Sequence, residues 1–487
     1  MNKKNGITIL GLGPGDARHL TREAWDWITS APEIYLRTTQ HPCVAEFPAD
    51  LTVNSFDYLY ESAESFENVY EQIITKILEL GERPGGVTYA VPGHPFVAET
   101  TCPEIARRAE VAGIPVRVIE GLSFLEPVFT ALNTDPFSGM ALVDAIDIGR
   151  RQTPPFAPDT PALIAQIYSR EVASELKLAL TSVYPDEFQV QMVHAAGTSG
   201  QIIENLHLYE IDRSPHIGLM SVLFLPALGD DTSLVAFQEI VARLRAPDGC
   251  PWDREQTHTS LRQHLLEETY EALEALDEED TESMAEEFGD ILLQIVLHAQ
   301  IASEEGEFSM VDVLKGINNK IIRRHPHVFG ELKLDHVDGV LSNWEKLKAK
   351  ERQDNGVGET KGLLDGVPLA LPALVQAQEY QERAGRVGFD WKEIEPVFDK
   401  MVEEIREFRE AENDMERTEE LGDMLFALVN LVRWYKVDAE SALRKTNQKF
   451  RRRFKHIEKR AREEGRNLAD MTLEQMDVFW DEAKDLE

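Results

Sequence analysis

Glu267-Glu268-Thr269-Tyr270-Glu271, followed by Glu286-Glu287-Phe288-Gly289-Asp290, recurs further along the chain as Glu403-Glu404-Ile405-Arg406-Glu407, followed by Glu419-Glu420-Leu421-Gly422-Asp423. Carboxylates three residues apart share one face of an α-helix, so two such helices laid side by side bring four of them together. Clustered oxygen donors suit a hard divalent cation, Mg²⁺ above all. Each copy therefore reads as two packed helices closing a four-carboxylate cage. Glu268, Glu271, Glu287 and Asp290 form the first set, and Glu404, Glu407, Glu420 and Asp423 the second.

A single copy would be explained as well by a solvated acidic helix face, since 87 of the 487 residues are Asp or Glu. The duplication decides against that, because more than the carboxylates recurs. Lys320, Arg323 and Arg324 answer to Lys449, Arg452 and Arg453, and Trp344 and Lys348 answer to Trp480 and Lys484. The offsets for Glu268, Glu287, Lys320 and Trp344 are 136, 133, 129 and 136 residues, as expected where helices are kept and loops vary. Each cage also runs directly into an apolar stretch, Ile291-Leu292-Leu293-Gln294-Ile295-Val296 in one and Met424-Leu425-Phe426-Ala427-Leu428 in the other. Carboxylates bordering core-forming runs are expected to be paired or to hold a metal.

Outside the repeats the grammar changes. Up to about residue 227 short β-rich runs alternate with helical stretches, with strands expected at 7–10, 86–91, 115–119, 162–167 and 221–225 and a first helix from near Thr21. Beyond Gly229-Asp230-Asp231 the 3.6-residue period takes over, for example across 261–276, 285–302 and 424–435. A loop rich in Gly, Pro and polar residues at roughly 355–372 splits this half in two. The expected architecture is multidomain: a two-lobed α/β domain over 1–227, then two all-α helical repeats over 232–355 and 365–487.

The formal charge of −37 argues against nucleic acid or an anionic membrane as the main partner. Cys43, Cys102 and Cys250, odd in number and without CxxC spacing, support neither a disulfide framework nor a zinc site. With no apolar stretch of membrane-spanning length and a chain entering its first strand directly after Met1-Asn2-Lys3-Lys4, a cytoplasmic protein is expected.

The repeated ExxE and Glu-x-x-Asp pairs, Arg-Arg-His-Pro-His-Val-Phe at 323–329 and Cys-Pro-Trp-Asp at 250–253 resemble the MazG family of nucleoside triphosphate pyrophosphohydrolases. The resemblance covers about 232–487. It implies an all-α enzyme, usually dimeric, that uses Mg²⁺ to cleave the α–β bond of nucleoside triphosphates. It makes the two carboxylate sets metal ligands, and family members with two copies can rely mainly on the C-terminal one. The first copy is then catalytic, structural or regulatory.

Attack of water on the α-phosphorus requires the triphosphate charge to be neutralised and the nucleophile deprotonated, which a carboxylate-held Mg²⁺ supports. Glu267 and Glu403 are candidate general bases, or else outer-shell or exposed residues. Lys449, Arg453 and Lys484, with Lys320, Arg324 and Lys348 in the first repeat, are candidates to hold phosphate, and an exposed basic helix end is the alternative. Trp480, Trp344 and Trp252 are candidates to contact the base, although aromatics at helical spacing are as often core.

In the N-terminal half, Gly11-Leu12-Gly13-Pro14-Gly15-Asp16 follows the first strand, Val91-Pro92-Gly93-His94-Pro95 another and Glu120-Gly121-Leu122-Ser123-Phe124 a third. Glycine turns at strand ends let a backbone approach a ligand, and three of them outline one crevice. With the later Ala196-Gly197-Thr198 turn, they resemble the tetrapyrrole methylase family of S-adenosylmethionine-dependent methyltransferases. The resemblance implies cofactor roles for Gly93, His94, Ser123 and Gly197, and an acceptor-side or structural role for Gly13, Pro14 and Gly15, with a methyl acceptor of unknown identity. Where the family commonly carries Gly-Asp-Pro, this chain has Gly93-His94-Pro95, an imidazole in place of a carboxylate.

Overall fold

The computed structural model describes residues 6–62, 66–333, 336, 339–340, 343–344, 347 and 362–486. The chain divides into two compact units, Met1–Arg254 and Glu255–Glu487.

The first unit is built on two five-stranded sheets. β1 (Ile7–Gly11) and β4 (Val87–Val91) are buried at every position, and their continuous apolar character follows from their place inside a parallel sheet covered on both faces. With β2 (Glu33–Leu36), β3 (Thr52–Ser55) and β5 (Val116–Ile119) they run in the order β3-β2-β4-β1-β5, all neighbours parallel. Helices α1 (Arg22–Ser30), α2 (Phe66–Gly81) and α3 (Thr101–Ala112) follow β1, β3 and β4 in the chain. Thr21 starts α1 by accepting from the Ala24 amide at 3.2 Å.

After α4 (Leu125–Leu132), the second sheet is mixed. β6 (Ala141–Asp144) and β7 (Ala162–Ala165) pair in parallel, while β8 (Gln189–His194), β9 (Ile202–His207) and β10 (Ser221–Leu225) complete it antiparallel in the order β6-β7-β10-β8-β9. A two-lobed α/β domain is thus present, with all five expected strands in place.

In the described residues the second unit is helical. Helix α5 (Arg262–Glu278) turns into α6 (Thr281–Glu305) through Glu279 in the left-handed region and Asp280, whose carboxylate accepts from the Glu282 and Ser283 amides. The second repeat builds the same hairpin. Helix α9 (Glu395–Glu410) leads to α10 (Asp414–Trp434), where Asn413 caps the Met415 and Glu416 amides, 133 residues after Asp280. Helices α7 (Met310–Arg324) and α8 (Ala373–Arg386) lie between the hairpins in sequence. Helices α11 (Ala439–Glu463) and α12 (Leu473–Asp485) close the unit, packed through Ile457, Ala461, Met471 and Phe479. Arg444 of α11 lies 2.9 Å from Asp277 of α5, which ties the second repeat to the first.

One expectation is met only in part. The apolar runs after the cages are not wholly core: Gln294, Val296 and Leu297, and Ala427, Val429 and Asn430, are buried, whereas Leu292, Ile295, Leu425 and Leu428 are exposed. A helix has one inward stripe, and these runs wrap right around it. Phe288, Leu292 and Ile295 form an exposed stripe that Leu421, Leu425 and Leu428 reproduce 133 residues later. Lys348 and residues 355–361 of the expected 355–372 loop lie outside the described residues. No helix among the described residues is long and apolar enough to cross a membrane.

Candidate functional site

The paired hairpins bring the predicted carboxylates together. Oxygens of Glu268 and Glu271 on α5 and Glu287 on α6 lie within 4.8 Å of one another, and those of Glu404, Glu407 and Glu420 meet the same limit. Asp290 and Asp423 belong to neither tight triad, the aspartate side chain being a methylene shorter than glutamate. Both still act on it electrostatically. Burial and then the charges of Asp290, Glu271 and Glu287 push the Glu268 carboxyl up. Glu287 is raised by burial, Glu271 and Asp290, and Glu420 by burial, Glu407, Glu404 and Asp423. Like charges held this close favour either a proton or a cation among them.

The two triads differ in one respect that the spacing does not reveal. In the second, Lys400 places its ammonium 2.8 Å from the buried Glu404 and 3.2 Å from Glu403. Its counterpart 136 residues earlier is His264, with Nδ1 3.7 Å from Glu267. Both candidate general bases are exposed and each has a basic neighbour one turn earlier.

The predicted basic and aromatic groups pair with each other in both repeats. The Arg324 guanidinium lies 5.4 Å from the Trp344 ring centre, and Arg453 lies 5.4 Å from that of Trp480. Trp480 also packs on Phe450 at 5.3 Å and borders the α11–α12 core, so its ring serves packing on one side. Lys484 is 2.8 Å from Asp481, Lys320 and Lys449 are exposed on their helices, and Trp252 is exposed on the short helix Pro251–Glu255.

In the first unit the glycine turns converge. A methyl on Gly11 would come within 2.6 Å of the Gly121 amide and 2.7 Å of the Gly93 carbonyl, and Gly13 and Gly93 form a β-bridge. A Cβ on Gly15 would lie 2.9 Å from Thr198, and one on Gly197 would strike Pro127 and His19. Together these turns open onto a crevice lined by Gly13, Pro14, Gly93, Ala98, Gln166 and Met220, among others. His94 instead accepts from the Phe96 amide at 3.1 Å. The Ser123 hydroxyl accepts from the Leu125 amide and donates to Glu126 at 2.6 Å, at the start of α4.

Three crevice residues escape sequence reading: Arg37, His41 and Glu99. Arg37 forms an ion pair with the buried Glu99 and bonds to the hydroxyls of Tyr60 and Tyr70. His41 donates from Nε2 to the Gly13 carbonyl at 2.9 Å, and its Nδ1 lies 3.0 Å from the Cys43 sulfur. Burial pushes the Cys43 thiol up to about 12, so it stays protonated and can donate to Nδ1, while burial lowers His41 and keeps it neutral. Two lining residues, Ala98 (φ 51°) and Gln166 (φ 70°), sit in the left-handed region without being glycine, strain that collects at ligand clamps.

These two constellations have relatives among known proteins. The family described as tetrapyrrole (corrin/porphyrin) methylases matches residues 6–212, and the MazG nucleotide pyrophosphohydrolase domain matches 256–329 and 393–458. YabN of Bacillus subtilis (strain 168) is 44% identical over 490 residues, covering 99% of each chain. The chain belongs to the YabN family of methylase–MazG fusions. Half of this YabN-family chain, 51%, matches the Thermotoga maritima protein named nucleoside triphosphate pyrophosphohydrolase/pyrophosphatase MazG, at 46% identity and over 96% of that protein. Among solved structures, the uroporphyrin-III C-methyltransferase of Thermus thermophilus is similar over 46% of this chain and 96% of that one, with a TM-score of 0.37 and 18% identity.

Proposed function

We propose that this protein hydrolyses nucleoside triphosphates to the monophosphate and diphosphate at its carboxylate triads, and that its N-terminal crevice binds S-adenosylmethionine. The observation that carries the first part is the duplicated triad, three glutamates held within 4.8 Å on a capped hairpin in each repeat. The raised carboxyls of Glu268, Glu287 and Glu420 support a charge concentration that a divalent cation relieves, and an all-oxygen donor set fits Mg²⁺. Glu268, Glu271 and Glu287, with Asp290 beside them, would hold it in the first repeat, and Glu404, Glu407 and Glu420, with Asp423, in the second. Bound there, Mg²⁺ supplies neutralisation of phosphate charge and acidification of water.

The chain's own residues do the rest. Glu267 and Glu403, one position before each ExxE, take the proton from water. Lys449, Arg453 and Lys484, and Lys320, Arg324 and Lys348 in the first repeat, hold phosphate, with Trp480, Trp344 and Trp252 towards the base. Lys400 neutralises Glu404 until the site is loaded. The second repeat is the catalytic one, and the division 1–227, 232–355 and 365–487 separates methylase-like, first and second helical domains. The exposed stripe at Phe288, Leu292 and Ile295, repeated at Leu421, Leu425 and Leu428, is covered in a homodimer of a cytoplasmic protein.

In the crevice, the backbone around Gly13, Gly93 and Gly197 gives the close approach a nucleoside needs, and the Arg37–Glu99 pair holds one wall. S-adenosylmethionine supplies an electrophilic methyl group there, for an acceptor whose identity is open.

The test is to incubate the purified chain with each common nucleoside triphosphate and Mg²⁺ and separate the products. Monophosphate and diphosphate in equal amounts support the reading, and release of orthophosphate alone, or no product from any nucleotide, refutes it. Glu404→Gln/Glu420→Gln should abolish turnover. If Glu268→Gln/Glu287→Gln does so instead, the first repeat is the active one.

A further inference from the structure

A second kind of ligand cluster lies in the first repeat, away from that repeat's triad. A ring nitrogen of His258 and one carboxylate oxygen each from Glu305 and Glu307 lie within 4.8 Å of one another. Asp290 precedes Glu305 by 15 residues on the same helix, about 22 Å at 1.5 Å per residue, so this cluster cannot share a cation with the first triad.

Three independent features point to a cation. His258 Nδ1 is 2.7 Å from His298 Nδ1, with the two rings nearly parallel, which leaves Nε2 as the free donor atom. That Nε2 is shielded from solvent and has no hydrogen-bond partner, a costly state for a polar atom unless something binds it. Finally, α6 ends with Glu305 and carries no basic residue in its last turn, while Gly306 at φ 74° reverses the backbone and brings Glu307 round beside Glu305. Carboxylates at the negative end of a helix are disfavoured unless positive charge joins them.

We propose that His258 Nε2, Glu305 and Glu307 form a binding site for a divalent first-row transition cation, with His298 as the positioning residue. An imidazole in the set excludes Mg²⁺ and Ca²⁺ as the preferred ions, since both favour oxygen-only shells, and favours Zn²⁺, Co²⁺, Mn²⁺ or Fe²⁺. The contact between the two rings is the kind that fixes a metal-ligating histidine: Nδ1–H of His258 donates to Nδ1 of His298, which keeps Nε2 of His258 unprotonated for the ion. The ion would clasp the turn before α5 to the far end of α6 and so brace the hairpin that carries the first triad. The site is particular to the first repeat. At the offsets of the cage residues, 136 and 133, the two histidines correspond to Ile394 and Leu431.

The test uses the full chain, stripped with a chelator and kept in large excess of Mg²⁺ so that oxygen-only sites are occupied. Zn²⁺ is then titrated by calorimetry, and Co²⁺ by visible absorption, which reports nitrogen ligation. One tight Zn²⁺ per chain is expected, weakened at least tenfold in His258→Gln and in the exposed pair Glu305→Gln/Glu307→Gln, and by about 10–100-fold in His298→Phe. Glu268→Gln/Glu287→Gln should keep it, which separates this site from the triads whether or not they hydrolyse nucleotide. Circular dichroism checks that the variants are folded. No tight site in the wild type, or an unchanged one in the Glu305/Glu307 variant, overturns the proposal.

Discussion

Gly93 allows the crevice to be tested without confusing binding with folding, because the structure supplies a matched control. Gly93 has φ 70°, and a Cβ added there meets nothing within 4 Å. Gly113, which caps α3, has φ 71° and the same open surroundings, but only Gly93 lines the crevice. Alanine at either position must hold a left-handed backbone, at a cost of about 1–2 kcal/mol with no clash to add. For a unit of this size each kcal/mol corresponds to about 2–4 °C in Tm, so both variants should melt roughly 2–8 °C lower. Their ligand affinities should part. The Gly93→Ala methyl projects where a cofactor backbone approach is needed, and affinity for S-adenosylhomocysteine should fall at least tenfold, about 1.4 kcal/mol. Gly113→Ala should bind as the wild type does. Differential scanning fluorimetry and calorimetry on the same samples read both quantities. If Gly93→Ala binds with unchanged affinity, the crevice is not the cofactor site. If Gly113→Ala loses affinity equally, strain rather than contact explains the effect.

Removing Arg37 leaves Glu99 buried without its partner, so Arg37→Met should cost about 3 kcal/mol and lower Tm by roughly 6–12 °C. A loss within error by thermal melting would show that the pair carries no such weight. Lys400 competes with any cation for Glu404, and Lys400→Met should therefore raise Mn²⁺ affinity at the second triad severalfold, read by electron paramagnetic resonance. Unchanged affinity would mean the ammonium is not in the way. The raised carboxyls of Glu268, Glu287 and Glu420 give a pH signature. A group whose folded pKa lies above its unfolded value stabilises the fold at low pH and loses that contribution as pH rises through the folded value. Between neutral pH and just above 4.5, the metal-free chain should gain Tm on acidification more than Glu268→Gln/Glu287→Gln does, and added Mg²⁺ should stabilise it most at the high-pH end. Parallel pH profiles would remove the triads from the explanation.

Much of this is legible in the sequence, for reasons specific to each element. The interior strand β1 announces itself because a parallel strand covered on both faces has no polar alternation to disguise it. The hairpins of the repeats were visible through their carboxylates, since spacing on a helix maps directly onto a face. What stayed hidden was convergence over distance. Arg37 and His41, from the loop after β2, meet Glu99, from the loop after β4, in one crevice, and none carries a local sign of it. Ala98 and Gln166 adopt left-handed backbone where only glycine would have advertised it. Lys400 reads as one more surface pair at i,i+4, and its place against a buried glutamate depends on how α9 packs. The histidine cluster depends on Gly306 reversing the chain, a turn that brings together residues 47 and 49 positions after His258. The apolar stripes read as core because a sequence shows which residues are oily, not which of them the chain can cover alone.

That stripe has a consequence for biosynthesis. Phe288, Leu292 and Ile295 leave the ribosome 133 residues ahead of Leu421, Leu425 and Leu428. At about 5–20 residues per second, the first oily face waits roughly 7–27 s before its sibling exists. Until then the first stripe has neither its sibling repeat nor a partner copy to cover it, so nascent chains on neighbouring ribosomes can meet through it. The face that a homodimer covers in the finished molecule is thus a liability while that molecule is being made.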